Sequence, residues 1–315
     1  MLAKQAYGNG GEIMYSKAIR SSKGDKFFMF LIYLFIAIAL LLVIYPLIYV
    51  ISASISSPTS VNSGEMWLLP KKITWDGYKT IFTYKSIWQG YRNTIYYTLL
   101  GTFINLLCTL PCAYALGRAE FYGKNLFMKF LMVPMFISGG LVPTYLLIKN
   151  LGMNDSIWAL VIPGAVSVYN IAITRTFFQS TIPREMEEAA LIDGCSDFQI
   201  FMKIVLPLSM PIIAVMGLFC GVAHWNSYFS ALIYLTNKSM YPLQLILREI
   251  LVNQDLTKGT TEMTAAAAEV AYSKQQLAQV IKYGVMIVST LPIIMIYPFL
   301  QKYFVKGVMV GSLKG

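Results

Sequence analysis

The sequence predicts an all-α membrane protein whose chain crosses a lipid bilayer six times. Hydrophobic residues make up 57% of the 315-residue chain and charged residues only 13%, against about 25% charged residues in an ordinary soluble domain. Six windows of the sequence are long enough to cross roughly 30 Å of hydrocarbon, and none of them contains Asp, Glu, Lys or Arg. A soluble domain has too little interior to bury so much apolar surface.

These six windows define the expected domains. They are Phe27–Ser52, Thr94–Leu116, Phe130–Ile148, Ile157–Thr174, Leu208–Trp225 and Tyr283–Leu300. Each window contains a proline, which a packed bundle tolerates because neighbouring helices re-satisfy the freed backbone groups. The first window is longer than the apolar core of a cleaved signal, about 7–15 residues, so we expect it to be retained. We therefore expect a membrane domain over residues 27–300, with tails at residues 1–26 and 301–315.

Basic residues in both tails predict the side of the membrane on which the tails lie. The N-terminal tail carries five Lys or Arg residues before Phe27, and the C-terminal tail carries three Lys residues. Positive-inside bias places both tails in the cytoplasm of a cell membrane. The loop 175–207 is then cytoplasmic, and the loops 57–92 and 226–282 lie outside. Contact with anionic membrane lipid explains the net charge of +10, so we expect no nucleic-acid partner.

The loop 175–207 interrupts this apolar chain with a charged segment that is predicted to form two short helices joined by a turn. Thr181 is a candidate N-cap of the first helix, and Pro183 suits its first turn. Gly194 is the residue type that ends a helix in the left-handed conformation. Ser196 followed by Gln199 is a capping-box pattern for the second helix, which we expect to end at Pro207. We call the two helices and the turn between them, within the loop 175–207, the elbow.

The elbow also carries a motif. Residues 188–194 read EAALIDG, and residues 204–207 read IVLP after an interval of nine. This arrangement resembles the E-A-A-x-x-x-G-x9-I-x-L-P motif of permease subunits of binding-protein-dependent ABC importers. The six-window layout and the ending Tyr297–Gly315 are similar to the maltose-type second permeases. Within these, the resemblance is greatest to Gram-positive permeases for polysaccharides or aldouronate-type oligosaccharides.

The resemblance implies a type I ABC importer permease fold in which the elbow is the coupling helix, seated in a cleft of a cytoplasmic ATPase. The residues that it assigns to coupling are Glu188, Ala189, Ala190, Asp193, Gly194, Ile204, Leu206 and Pro207. It also implies a non-catalytic subunit that works with a second homologous permease, two ABC ATPase subunits and an extracellular, lipid-anchored sugar-binding protein. The chain has no G-x-x-x-x-G-K-[ST] sequence, so ATP and Mg²⁺ are expected in the ATPase and no cofactor in this chain.

Polar and aromatic residues within the windows are candidates for the substrate pathway, because amides bind sugar hydroxyls and aromatic rings stack on sugar rings. The candidates are Asn170, Trp225, Asn226 and Tyr228. A structural role is the alternative for each, since amides join membrane helices and aromatic side chains favour the interface. His224, the only histidine, is expected to be an interfacial residue. The sequence predicts no catalytic residue, metal site or disulfide.

Two other functions remain open from the residues. A stand-alone secondary carrier is disfavoured because the windows contain no Asp, Glu, Lys or Arg for a proton relay or a buried ion pair. An ABC permease for a non-sugar solute would share the coupling motif, and only the carbohydrate-type layout argues against it. An intramembrane hydrolase or glycosyltransferase would need carboxylates or a Ser–His pair beside the windows, and the sequence offers neither.

Overall fold

The computed structural model describes residues 23–256, 280–298 and 301, and most of these are helical with no β-strand among them. The expected tails lie almost wholly outside the described residues. The alanine-rich segment Thr264–Val270, whose composition predicts an outer helix, lies outside them as well. The helices are α1 Lys23–Ser54, α2 Pro58–Asn62, α3 Asp76–Thr83, α4 Lys85–Gly117, α5 Lys124–Phe136, α6 Leu141–Asn150, α7 Trp158–Val161, α8 Val168–Thr181, α9 Arg184–Ile192, α10 Asp197–Ile200, α11 Leu206–Leu208, α12 Met210–Trp225, α13 Tyr228–Tyr234, α14 Leu243–Leu256 and α15 Val280–Pro298. The chain forms two compact units, one ending at Tyr49 and the other beginning at Val50.

Three helices of the described chain are long and apolar enough to cross a membrane, namely α1, α4 and α15. Two bent pairs raise the number of candidate spans to five if each pair is counted as one. The helices α5 and α6 meet at 112°, and the segment Asp197–Leu208 meets α12 at 81°. The all-α membrane fold is therefore confirmed, but several of the predicted windows are not straight, uninterrupted helices.

The fourth window, Ile157–Thr174, differs most from its prediction, because it is divided between α7 and α8. Pro163 and Gly164 lie in the interval between these helices, and both residue types disfavour the interior of a helix. The third window breaks at residues 137–140, where Gly140 adopts a φ of +86°. Apolar composition alone does not reveal such breaks, because a bent segment is as apolar as a straight one.

The helix α4 is the centre of the second unit, since α8, α12 and α14 all pack against it. At its C-terminal end, Leu110, Ala113 and Leu116 belong to a buried apolar cluster that also includes residues of α8, α12 and the elbow. This arrangement attaches the elbow to the helix around which the unit is built.

Asn105 stabilises the break between α7 and α8 from its position on α4. Its side-chain Nδ2 donates to the carbonyl oxygens of Gly164 (2.6 Å) and Ala165 (2.9 Å), which have no intrahelical partner at a helix break. The Oδ1 of Asn105 accepts a hydrogen bond from Nε2 of His224 on α12 (2.7 Å). His224 is therefore an internal helix-to-helix contact, and the expectation of a merely interfacial residue is wrong.

We expect Gly101→Ala to destabilise the protein, because a Cβ at this position of α4 would overlap the His224 ring. Overpacking a close contact costs about 1–3 kcal/mol. The measurement is the thermal unfolding midpoint of the purified protein in detergent. His224→Ala removes the obstructing ring. The double variant Gly101→Ala/His224→Ala should therefore lose less of the unfolding midpoint than the two single variants lose together. Strict additivity would contradict the proposed overlap.

Candidate functional site

The first half of the elbow is α9, and its two ends differ in how well the sequence predicted them. Pro183 is the N-cap, with φ −65° and ψ 138°, and α9 begins at Arg184. Thr181 is the last residue of α8, and its buried hydroxyl has no hydrogen-bond partner. The prediction that Thr181 caps α9 is therefore wrong. A residue that precedes proline avoids the helical region, so Ile182 separates Thr181 from α9.

The turn of the elbow follows the prediction. Gly194 has a φ of +80°. Its N–H donates to the carbonyl oxygen of Leu191, and the N–H of Cys195 donates to the carbonyl oxygen of Ala190. These two bonds form the Schellman motif, which satisfies carbonyls at a helix end. The predicted capping box is also present. The Ser196 hydroxyl accepts from the N–H of Gln199, whose side chain accepts from the N–H of Ser196.

The second half of the elbow is longer than predicted, because Pro207 does not end it. The chain continues from α10 through a π-helical turn, Phe201–Val205, into α11, and it bends only at Ser209. Pro207 is the second residue of the short helix α11, which follows the π-helical turn directly. The bend is thus two residues beyond the predicted stop.

The elbow has a buried face and an exposed face. On the buried face, Ala190 (6% exposed), Ile200 and Val205 belong to the apolar cluster at the end of α4. The half-buried Ile204 and Leu206 pack against the same cluster, whereas Pro207 is exposed. Ala190 therefore packs inside this chain, because a helix of this periodicity turns every third or fourth side chain to the same face. Its assignment to coupling stays a prediction.

The exposed face contains the other residues that the motif assigned to coupling, which are Glu188, Ala189, Asp193 and Gly194. Two large apolar side chains lie exposed on the same elbow, Ile192 (87%) and Phe198 (71%). Residues 184–200 contain five acidic residues and one basic residue. The exposed face therefore combines negative charge with apolar side chains, which suits a partner surface that is basic and partly apolar.

Sequence reasoning missed Arg118, which follows α4 and contacts both halves of the elbow. Its guanidinium lies 3.7 Å from the Glu187 carboxylate of α9 and 3.2 Å from the Asp197 carboxylate of α10. It also pairs with Glu120 at 2.8 Å. Burial raises the pKa of the Glu187 carboxyl although Arg118 opposes the shift. The only signal in the sequence is an arginine immediately after an apolar window.

The four pathway candidates lie in different environments. Trp225 is buried, and its indole N–H donates to the carbonyl of Ser289 on α15 (3.0 Å), so it serves the core. Asn170 begins α8 and donates to the Cys220 sulfur at 3.6 Å. Asn226 and Tyr228 are exposed where α12 ends. The structure thus leaves Asn226 and Tyr228 accessible and does not gather all four side chains on one surface.

Among the described residues, no group of three or more His, Cys, Asp or Glu side chains could hold a metal ion. The four cysteines, all within the described part, are free. The candidate site is a surface element built from helix caps, an apolar face and one arginine.

Comparison with known proteins assigns this architecture. The model of the family described as "Binding-protein-dependent transport system inner membrane component" matches residues 83–310. The chain is 39% identical to Protein LplC of Bacillus subtilis over 86% of this chain and 90% of that protein. It is 38% identical to the B. subtilis polygalacturonan/rhamnogalacturonan transport system permease protein YtcP, over 92% of this chain and 99% of that protein. A bacterial ABC transporter involved in the import of the acidic polysaccharide alginate contains a structurally similar chain. The TM-score is 0.81 at 31% identity, and the match covers 91% of this chain and 100% of that one.

The adjacent alanines of the motif distinguish packing from docking. We expect Ala190→Leu to lower the free energy of unfolding by about 1–3 kcal/mol, because it overpacks the cluster at the end of α4. Ala189→Leu adds the same volume on the exposed face and should leave the unfolding midpoint of the isolated protein unchanged. Thermal unfolding of both variants in detergent measures the difference. Equal midpoints for the two variants would contradict the assigned faces.

Proposed function

Because the chain belongs to the family of binding-protein-dependent transport system inner membrane components, we propose that it is the permease that carries an oligosaccharide or polysaccharide across the cell membrane in an ATP-driven importer. The chain itself is a non-catalytic membrane subunit, and ATP hydrolysis belongs to a separate chain. Membership of this family also removes the stand-alone secondary carrier from consideration.

The observation that carries the coupling part of the proposal is the exposed face of the elbow. The Schellman motif at Gly194 and the capping box at Ser196 define the turn between α9 and α10. Glu188, Ala189, Asp193 and Gly194 stay accessible. Small residues at positions 189 and 194 allow a partner backbone to approach closely. Ile192 and Phe198 supply apolar contact area on each side of the turn. We expect the ATPase to offer a cleft with basic residues at its rim and apolar residues at its floor.

The names of the relatives support a carbohydrate as the cargo, and two of them point to a narrower class. One relative transports polygalacturonan or rhamnogalacturonan, and the structural neighbour belongs to an importer of the acidic polysaccharide alginate. Polygalacturonan and alginate are both built from uronic acids, which carry one carboxylate per sugar. An oligomer of uronic acids is therefore the first cargo to test, ahead of a neutral sugar or a non-sugar solute.

The proposed assembly contains a second homologous permease, two cytoplasmic ATPase subunits with their ATP and Mg²⁺, and an extracellular sugar-binding protein, which we expect to be lipid-anchored. A cytoplasmic ATPase requires the elbow to face the cytoplasm, so both termini lie there and Asn226 and Tyr228 lie near the outer surface. Those two residues, with Asn170, are the remaining candidates for cargo contact in this chain. The proposed domain limits stay at residues 1–26, 27–300 and 301–315.

Purification of the tagged protein from native membranes tests the assembly directly. We expect a second permease and two ATPase copies per complex, identified by mass spectrometry with their stoichiometry. A tagged protein that elutes alone or as a homodimer, under conditions that preserve known importers, would contradict the proposed assembly. Uptake of tri-galacturonate by proteoliposomes, with the cognate binding protein added, then tests the cargo.

A pair of glycines gives a matched test of the docking face. Gly194 and Gly152 both end a helix in the same Schellman geometry, with φ of +80° and +69°. A Cβ at either position would meet no atom of this chain within 4 Å. Arginine at either site should therefore cause the same backbone strain, about 1–2 kcal/mol, without a clash inside the chain.

We expect Gly194→Arg to abolish recovery of the ATPase with the tagged protein, because the new side chain occupies the space of the docked partner. Gly152→Arg, on the proposed outer side, should leave ATPase recovery at the wild-type level. The measurement is the ratio of ATPase to permease in the purified complex. Loss of the ATPase with both variants would indicate a general folding defect and would contradict the assignment of Gly194 to docking.

A further inference from the structure

The side chain of Arg118 is held in place by the end of α4. Its exposed fraction is only 12%, and its Nη1 donates to the hydroxyl oxygen of Tyr114 at 2.7 Å. The guanidinium carbon lies 5.6 Å from the centroid of the Tyr114 ring, within the range of a cation–π contact. The ring itself lies between Phe178 of α8 and Phe201 of the elbow, at 6.4 Å and 5.2 Å. Arg118 is therefore fixed to α4 before its charge partners are considered.

From this fixed position the guanidinium reaches carboxylates on three separate segments. Glu120 belongs to the loop after α4, Glu187 belongs to α9, and Asp197 belongs to the first turn of α10. A planar guanidinium presents several donors in fixed directions, so it can serve more than one carboxylate at a time. Arg118 thus joins the end of α4 to both halves of the elbow, across the turn at Gly194.

The geometry of the two clefts beside Arg118 supports this role. One cleft lies toward α8 and α9, between Gln179 and Leu191, and the other lies toward α10, between Phe121 and Phe198. Arg118, Tyr114 and Glu120 line both clefts. A cleft therefore lies on each side of Arg118. Much of the polar contact between the elbow and α4 runs through this one side chain.

We propose that Arg118 is a positioning residue that makes the elbow and α4 move as one body when the ATPase changes shape. The inference rests on the proposed function, in which the elbow receives that motion. Without Arg118, Glu187 and Asp197 lose their shared cation, and the elbow can shift relative to α4 while its apolar face stays packed. ATP hydrolysis would then continue with less motion passed to α4, against which α8, α12 and α14 pack.

The first experiment measures the distance between α4 and the elbow in the intact complex. Spin labels are placed on the exposed positions 115 and 185, after Cys108, Cys112, Cys195 and Cys220 are replaced by Ala or Ser. Distances are compared without nucleotide and with ATP and vanadate. We expect one unchanged distance distribution in the wild-type background and a nucleotide-dependent shift or broadening in Arg118→Gln. A distribution in Arg118→Gln that matches wild type in both states would overturn the proposal, as would a wild-type distance that changes with nucleotide.

A second set of variants separates the elbow from the rest of the arginine's contacts. Glu187→Gln/Asp197→Asn removes both elbow carboxylates and keeps Arg118, so it should reproduce the effect of Arg118→Gln even if the latter accumulates poorly. Glu120→Gln removes a partner of the same type that lies outside the elbow, and it should behave as wild type. Arg118→Lys keeps the charge but has no fork to serve both carboxylates, so an intermediate effect is expected. Equal effects of Glu120→Gln and the double variant would overturn the role assigned to the elbow contacts.

The functional readout is the amount of tri-galacturonate imported per ATP hydrolysed in proteoliposomes. We expect Arg118→Gln to lower this ratio about tenfold, the scale of coupling within one charged network, with thermal stability and ATPase content close to wild type. A ratio equal to that of wild type would contradict the proposal. If the wild-type complex contains no ATPase, the proposed function fails, whereas a working wild type with an unaffected Arg118→Gln refutes only this inference.

Discussion

The structure depends on the rule that a backbone polar group inside a membrane needs a partner within the protein. The fourth apolar window breaks at Pro163, so carbonyls at the break lose their helical partners. Asn105 of α4 supplies hydrogen bonds to Gly164 and Ala165, and His224 of α12 in turn donates to Asn105. The broken helix can therefore persist, because these hydrogen bonds connect it to α4 and, through Asn105, to α12.

The elbow shows how one short segment satisfies two opposite requirements. Ala190, Ile200 and Val205 are buried against the end of α4 and hold the elbow in place. Glu188, Ala189 and Asp193 face outward on the same turn of chain. A coupling element needs both faces, because a segment that only docked would slide over the membrane helices. The 3.6-residue period of α9, together with the C-cap at Gly194, separates the buried face from the exposed face within about 11 residues.

The turn of the elbow was predictable from the sequence, whereas the Thr181 cap, the stop at Pro207 and the long-range contacts were not. The turn at Gly194 and the capping box of Ser196 and Gln199 depend on residues within a few positions, and the structure has both. The burial of Ala190 depends on α4, more than 70 residues earlier in the sequence. The pairing of His224 with Asn105 and the reach of Arg118 also join distant segments, which composition and periodicity do not encode. The breaks in the third and fourth windows were not predicted, because hydropathy measures how apolar a segment is and not the direction of its helix axis.

The path from the elbow to the membrane helices follows from the same geometry. The covalent path from the elbow to α12 passes through a π-helical turn and an 81° bend at Ser209. A bent joint turns an axial push into rotation about the joint, so it transmits displacement poorly. The contacts across to α4 have no such joint, since Phe201 packs on Tyr114 and Arg118 pairs with Glu187 and Asp197. The contacts from the elbow therefore lead directly to α4, and α12, which follows the bend at Ser209, packs against the same helix.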